Sequence, residues 1–164
     1  MAASNAGGNA ATNFGEREVV IVRVFDAPPE LVFQAWTDPK HLARWWGPKG
    51  WTNPVCEVDA RVGGAWRVVM RAPDGGEYPC GGVYREIVPP ERLVFTNIAM
   101  DNEGKPLLDG LTTVTFAEDG GKTKLTLRTR ATGLVPYAPQ MLAGMEMGWT
   151  QSLERLAEEM TRSR

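Results

Sequence analysis

Few residues in this sequence have the types and spacing of a catalytic or metal-binding centre. The two cysteines, Cys56 and Cys80, lie outside any C-x-x-C spacing, and His41 is the single histidine. A zinc or iron–sulfur site is therefore not supported, and the cysteines are expected to be small buried residues in a reducing compartment. The sequence contains no Ser/His/Asp order, P-loop or dinucleotide fingerprint. We predict no metal, no cofactor and no catalytic residue.

Three carboxylates within predicted strands are the remaining candidates for acid–base chemistry. Glu57, Asp59 and Glu86 could project into an internal cavity, where a carboxylate pairs with an arginine or has its pKa raised by desolvation. Such groups orient ligands more often than they catalyse. His41 lies in a polar, basic stretch and is expected at the surface rather than as a general base. Enzymatic activity stays open at this point, and a non-enzymatic role is favoured.

Composition and charge indicate one globular domain and argue against several functions. The chain has 164 residues, 43% of them apolar and 23% charged, which suits one core and one cavity. A net charge of −2 without runs of like charge argues against nucleic-acid binding. No window reaches the ~18 apolar residues of a membrane span. Residues 1–15 lack the apolar stretch of a secretory signal, so we predict a cytoplasmic location. We interpret these residues as a disordered tail, followed by one domain at 16–164.

The elements that must position any site follow from periodicity and turn residues. Alternating β-branched residues predict a first strand at 17–25, and Pro29 and Asp38-Pro39 start two short helices at 29–36 and 38–46. Glycine, proline and asparagine turns then separate six antiparallel strands. These strands are predicted at 51–60, 65–71, 78–88, 92–100, 108–117 and 122–132. Apolar residues at spacings of three and four predict a long amphipathic helix at 136–162.

This order predicts an α+β fold of the helix-grip type. A twisted sheet of seven strands buries its apolar face only if the long helix lies across it, and a sheet of that width curls around the helix. The expected architecture is therefore a seven-stranded curved antiparallel sheet wrapped around a long C-terminal helix, with two short helices after the first strand. A gap remains between helix and sheet wherever side chains do not fill it.

Four segments in this order resemble the START-like (SRPBCC, helix-grip) superfamily, and within it the family homologous to the activator of the ATPase of heat shock protein 90. The segments are FDAPPELVFQAWTDPKHLARWWGP from residue 25, VGGAWRVVMRAPDGG from residue 62, GGVYREIVPPERLVFT from residue 81 and GWTQSLERLAEEM from residue 148. The resemblance implies a hydrophobic cavity between the helix and the concave sheet face, which the superfamily uses for lipids, sterols, hormones and polyketides. It also implies a chaperone as a possible partner, because the family is named after larger co-chaperones.

Strand parity and helix spacing select the residues that should line this cavity. In the strand at 65–71 the parity places Trp66, Val68 and Met70 towards the helix. The strand at 81–88 has mixed faces, and Tyr84 is taken as inward. Only one of the adjacent Trp45 and Trp46 can point fully inward from a helix. The predicted ligand-binding residues are Trp45, Trp66, Val68, Met70, Tyr84, Phe95, Met141, Met145 and Trp149.

Three functions remain as hypotheses. The favoured one is non-enzymatic binding of a small, largely apolar molecule in the cavity. The second is a chaperone-activator-like protein-interaction module with an exposed apolar patch and a chaperone or a second copy as partner. The third is a polyketide-cyclase-type enzyme, which requires an inward carboxylate among Glu57, Asp59 and Glu86. Gly144 and Gly148 on the closing helix favour a wall that adapts to a ligand, or close approach of a second subunit.

Overall fold

The computed structural model describes residues 14–163, and the predicted tail therefore lies almost wholly outside the described residues. Within them the chain forms seven strands and four helices. Their bounds are β1 (Glu16–Phe25), α1 (Pro29–Thr37), α2 (Pro39–Trp45), β2 (Thr52–Val58), β3 (Ala65–Arg71), β4 (Glu77–Val88), β5 (Arg92–Met100), β6 (Pro106–Asp119), β7 (Lys122–Gly133), α3 (Ala138–Ala143) and α4 (Met145–Ser163).

The strands form one antiparallel sheet in the order β1-β7-β6-β5-β4-β3-β2. Strands β2 to β7 follow each other as a meander, and β1 closes the order by pairing with β7 from Glu16 opposite Thr132 to Phe25 opposite Thr123. The predicted helix-grip architecture is confirmed. No helix among residues 14–163 is long and apolar enough to cross a membrane.

Proline and aspartate set the two short helices as predicted. Pro29 opens α1, and Asp38 ends α1 and caps α2 by accepting a hydrogen bond from the Lys40 N–H at 2.9 Å. The helix α2 ends at Trp45, and Trp46 already has an extended backbone. Both tryptophans are buried, although only one of them was expected to point fully inward.

The C-terminal segment differs from the prediction of one helix at 136–162, because it breaks at Gly144. Helix α3 ends at Ala143, and the Gly144 N–H closes it on the Met141 carbonyl at 3.1 Å. Glycine is a poor helix former and costs about 1 kcal/mol relative to alanine in a helix interior. As a result Met141 and Met145 stand on different helices.

The main core lies between the concave sheet face, α1, α2 and the C-terminal half of α4. Its fully buried side chains include Phe25, Trp36, Leu125, Leu127 and Leu156. The inward faces of β6 and β7 carry Val114, Phe116, Leu125, Leu127 and Thr129, all of which are buried.

The first described residues are tied to the end of the sheet. The Phe14 N–H donates to the Gly133 carbonyl at 3.0 Å, and the Gly133 N–H donates to the Gly15 carbonyl at 2.8 Å. Phe14 also packs against a second apolar cluster of Leu107, Val135 and Ala138. Residues 14 and 15, which were assigned to the tail, therefore belong to the folded part.

Candidate functional site: an apolar cavity beside helix α4

A cavity of about 190 Å³ lies between the N-terminal half of α4 and the strands β3 to β5. We call it the α4 cavity. Its walls are Trp46, Gly47, Pro48, Met70, Cys80, Asn97, Ile98, Ala99, Met145, Gly148, Trp149 and Ser152. Cys80 is the one ionisable side chain among these residues. The cavity therefore offers an apolar and uncharged environment.

The helical wall of the α4 cavity comes from one face of α4. Met145, Gly148, Trp149 and Ser152 recur at spacings of three and four, which places them on a single face. A Cβ atom added at Gly148 would meet no atom within 4 Å. The glycine thus leaves open space where any larger residue would put side-chain atoms.

The loop after α2 forms one end of the cavity and is fastened to α4. Arg155 Nη1 donates to the carbonyls of Trp46, Gly47 and Pro48 at 2.9–3.1 Å, and Nη2 donates to that of Arg44 at 3.0 Å. Gly47 has a φ of +96°, and a Cβ there would lie 3.2 Å from Met70 Sδ. Glycine is required at this position by both the backbone conformation and the close approach.

Tryptophan rings close the inner side of the cavity. The Trp46 ring meets Trp66 at 5.2 Å and Trp149 at 5.3 Å, both edge to face. Trp149 also stacks on Trp36 at 6.2 Å. Edge-to-face and stacked pairs hold their rings in fixed relative positions, so the inner wall is preorganised.

Three polar side chains reach the α4 cavity: Cys80, Asn97 and Ser152. Burial raises the pKa of Cys80 to about 12, although a hydrogen bond from Trp46 acts in the opposite direction. Burial also raises the pKa of the half-buried Cys56 to about 11. Both thiols are therefore neutral at physiological pH, which fits the expected role of small buried residues better than that of nucleophiles.

An adjoining groove of about 400 Å³ shares Met70 and Ala99 with the α4 cavity. Its other walls include Trp51, Tyr78 and Met141. The two spaces therefore adjoin at these residues. A larger hollow of about 780 Å³ lies at the opposite end of the sheet, where Glu30, Glu91 and Glu118 line it, so it lacks the apolar character of the α4 cavity.

The structure brings together only part of the predicted site. Met70, Met145 and Trp149 line the α4 cavity, and Trp66 supports it from behind through Trp46. Met141 lines the adjoining groove because the helix breaks at Gly144. The other four residues lie behind the cavity wall in the main core: Trp45, Val68, Tyr84 and Phe95. Tyr84 is inward, as predicted.

Several cavity residues were not predicted, although their signals were present. Asn97 and Ala99 share strand parity with the inward Phe95, and Ser152 follows Trp149 by three residues on the helix. Trp46 was one of the two alternatives for the inward tryptophan. Its ring reaches the cavity because α2 ends one residue earlier.

The three candidate carboxylates lie outside the cavity. Glu57, Asp59 and Glu86 are exposed, and the last two form ion pairs with Arg61 and Arg92 at 2.9 Å. A β-bulge between Tyr84 and Glu86 explains the mixed faces of β4, because it turns Glu86 outward although its parity matches that of Tyr84. The expectation that these groups could project into the cavity is wrong.

A different carboxylate, Glu159 on α4, is fully buried and was not predicted. His41 Nδ1 lies 2.8 Å from Glu159 Oε2, and Arg44 donates to the same oxygen at 3.0 Å. Arg162 donates to the other carboxylate oxygen, Oε1, at 3.1 Å. Burial alone would raise the pKa of Glu159, but these hydrogen bonds outweigh burial and lower it below its ordinary value. His41, which was expected at the surface, instead joins α2 to α4.

The fold and the site together define a helix-grip α+β protein with an uncharged cavity between its last helix and its sheet. A model of one protein family matches residues 26–161, and that family is described as activator of Hsp90 ATPase homolog 1-like protein. The chain belongs to this family, as the sequence motifs predicted.

Solved structures share the same architecture. A protein of Chromobacterium violaceum is 35% identical, with a TM-score of 0.74 over 86% of this chain and 94% of its own. A protein of Rhizobium leguminosarum is 27% identical, with a TM-score of 0.80 over 90% and 96% of the two chains. The AHSA1 protein of Silicibacter pomeroyi is 27% identical, with a TM-score of 0.74 over 90% and 100%. Among curated proteins no match was found.

Proposed function

We propose that this protein binds a small, largely apolar molecule in the α4 cavity without transforming it. The observation that carries the proposal is an uncharged cavity of about 190 Å³ whose helical wall contains a glycine facing open space. The apolar walls of this open cavity face water and lack contacts that they would make in a filled core. A ligand that fills this volume supplies those contacts.

The volume sets the size of the ligand. Apolar cavities of roughly 150 Å³ bind benzene, so 190 Å³ accommodates a molecule somewhat larger than benzene. This volume is smaller than the roughly 300 to 1,000 Å³ of pockets for drug-sized ligands. A rotation of the flexible Met70 side chain would connect the cavity with the adjoining groove and admit a longer molecule.

The chemistry of the wall supports binding rather than catalysis. Cys80 is a neutral thiol at physiological pH, and the exposed Glu57, Asp59 and Glu86 cannot reach the cavity. No observation on the described residues favours the polyketide-cyclase-type alternative.

Indane, a hydrocarbon of nine carbon atoms, is a suitable probe for the experiment. Saturable binding should stabilise the wild type against heat by mass action. Gly148→Leu should abolish this shift by placing its side chain in the cavity. Gly144→Leu adds the same atoms at an exposed position where a Cβ meets nothing closer than 3.7 Å, and should bind indane normally. Absence of binding to the wild type, or equal binding by both variants, would refute the proposal.

A protein-interaction role is the second candidate, and one surface favours it. Val20, Val22 and Val24 are each 47–53% exposed in a row on the outer face of β1, an edge strand that pairs only with β7 among the described residues. The partner we propose for it is a second copy. Antiparallel pairing with Ile21 opposite Ile21 sets Val20 against Val22 and opposes no like charges between Arg17 and Phe25, while Glu16 falls opposite Asp26 beyond the end of the strand.

Light scattering of the purified protein tests this surface. The wild type should form a dimer at high micromolar concentration, and Val22→Lys should be monomeric. A monomeric wild type at all concentrations would remove this candidate. Stimulation of a heat shock protein 90 ATPase that Val22→Lys abolishes would instead assign the surface to a chaperone.

A further inference from the structure

We infer that the α4 cavity selects a neutral ligand with a carbonyl oxygen, which the Asn97 amide and the Ser152 hydroxyl hold through hydrogen bonds. This inference rests on the proposed binding function and adds the chemical class of the ligand. A row of polar side chains lies on the otherwise apolar concave face of the sheet.

Three polar side chains cross the sheet from β7 to the cavity wall. Thr129 Oγ1 and Thr112 Oγ1 lie 2.8 Å apart, and Thr112 Oγ1 donates to Asn97 Oδ1 at 2.8 Å. Both threonines are fully buried. Because the single hydroxyl proton of Thr112 is used on Asn97, Thr129 must be the donor to Thr112. The hydrogen bonds of this row therefore run in one direction, from Thr129 through Thr112 to Asn97, and the row ends at the cavity.

Asn97 lines the cavity, and its amide N–H groups are left without a protein acceptor among the described residues. Its oxygen is occupied by Thr112, and among the described residues no acceptor pairs with Nδ2. Gly110, directly opposite Asn97 on β6, makes room for the amide, since a Cβ there would lie 3.1 Å from both Oδ1 and Nδ2. The two buried hydroxyl groups and the amide oxygen bond to one another, which leaves the amide N–H groups available to a ligand.

The opposite wall offers a second donor. Ser152 Oγ accepts from the Gly47 N–H at 3.1 Å, and its own proton has no acceptor among the described residues. Asn97 and Ser152 thus have their oxygens engaged by protein donors and their protons free. A carbonyl oxygen accepts from both kinds of donor. The lining contains no cationic side chain to neutralise a carboxylate, so the ligand class is a neutral ketone, ester or lactone.

The experiment compares indane with 1-indanone, which has the same ring system and one carbonyl group. For each variant the ratio of the two dissociation constants, indane over 1-indanone, is measured by calorimetry. Comparing this ratio between variants cancels the difference in hydrophobicity between the probes. Asn97→Leu, which keeps the shape and removes the donor, should lower the ratio about threefold to tenfold, the range for one hydrogen bond.

Variants of Thr112 test whether it positions the amide. Thr112→Val should lower the ratio by about twofold to threefold, because the amide is then free to turn. Thr112→Ser should restore the ratio, and Thr113→Val on the outer face of β6 should leave it unchanged. The side-chain amide resonances of Asn97 should shift on binding of 1-indanone and much less on binding of indane.

The outcomes separate this inference from the proposed function. If indane fails to bind the wild type, the proposed function fails and the inference fails with it. If indane binds and the ratio is the same in the wild type and in Asn97→Leu and Thr112→Val, the carbonyl selectivity is refuted while the binding function stands. A ratio that falls in both variants and returns in Thr112→Ser supports the inference.

Discussion

Both halves of α4 lie over the same sheet, but the C-terminal half is fully packed and the N-terminal half is only partly buried. In the C-terminal half Leu153, Leu156 and Met160 are at most 2% exposed. In the N-terminal half Met145, Gly148 and Trp149 are only partly buried and border the cavity. The difference teaches that one helix can stabilise the fold at one end and provide a binding wall at the other.

The neighbours of each half explain the contrast. The C-terminal half of α4 packs on the short helices, and the buried Glu159 joins it to α2 through His41 and Arg44. The N-terminal half is contacted by the loop at Trp46–Pro48 and, through Trp149, by Trp36 of α1, and its face between them borders the cavity. Mutations in the two halves should therefore affect stability and binding separately.

The largest effect is expected from Leu156→Ala in the packed half. Removing a fully buried leucine side chain should lower the free energy of unfolding by about 3 kcal/mol, through lost transfer energy and a new cavity. Urea denaturation gives the stability, and titration with indane should give an unchanged dissociation constant. A loss of binding that matches the loss of stability would contradict the separation of the two halves.

Glu159→Gln should have the next largest effect, about 1 to 3 kcal/mol at neutral pH, because three partners of a buried carboxylate lose its charge. The pKa of Glu159 is lower in the folded protein than its ordinary value, so the ionised group adds stability above about pH 4.3. This contribution is lost as the pH falls through the lowered pKa. The variant and the wild type should therefore converge in stability in acid.

The adjacent Glu158 provides the control for this measurement. Its side chain is exposed, and Glu158→Gln should change the free energy of unfolding by less than about 0.5 kcal/mol at any pH. An equal pH dependence in the two variants would show that net charge, rather than the buried carboxylate, is responsible.

Met145→Ala should have a small effect on stability and a clear one on binding. Met145 is half-buried beside the cavity, so we expect a loss of less than about 1 kcal/mol. Indane affinity should fall by about threefold or more as apolar contacts are removed. Urea denaturation and titration with indane measure the two effects, as for Leu156→Ala. A loss of stability as large as that of Leu156→Ala would contradict the separation of the two halves.

The smallest effect is a gain. Gly148→Ala should raise the free energy of unfolding by about 0.5 kcal/mol, because alanine favours the helix and its Cβ meets open space. Indane binding should persist, since one methyl group leaves most of the cavity open. A destabilised variant would show that the space at Gly148 is occupied in solution.

Most of the fold could be predicted because the turn residues mark the strand ends. The sequence Asp119-Gly120-Gly121 predicted the β6–β7 hairpin, and both glycines have the positive φ such a turn requires. The break at Gly144 could not be predicted, because apolar residues at Met141 and Met145 suit one helix or two. The bulge in β4 was equally hidden, because polar and apolar residues mix on both of its faces.

The site was predicted less well because its residues come together only in three dimensions. Trp45 and Trp46 are adjacent, and only the point where α2 ends determines which ring reaches the cavity. Glu159 stands in an ordinary amphipathic pattern, while its partner His41 is 118 residues away in sequence. Asn97 could have been found, because a polar residue at an inward strand position is itself a signal.

The hydrogen bonds of Arg155 should affect the order in which parts of the protein fold. Its guanidinium pairs with the carbonyls of Arg44, Trp46, Gly47 and Pro48, which lie at and beyond the end of α2. A helix of seven residues does not persist alone in water, and here some of the carbonyls that end it are bonded from the other end of the chain. We therefore expect the amides of α2 to gain protection from hydrogen exchange late, in the same step in which α4 docks.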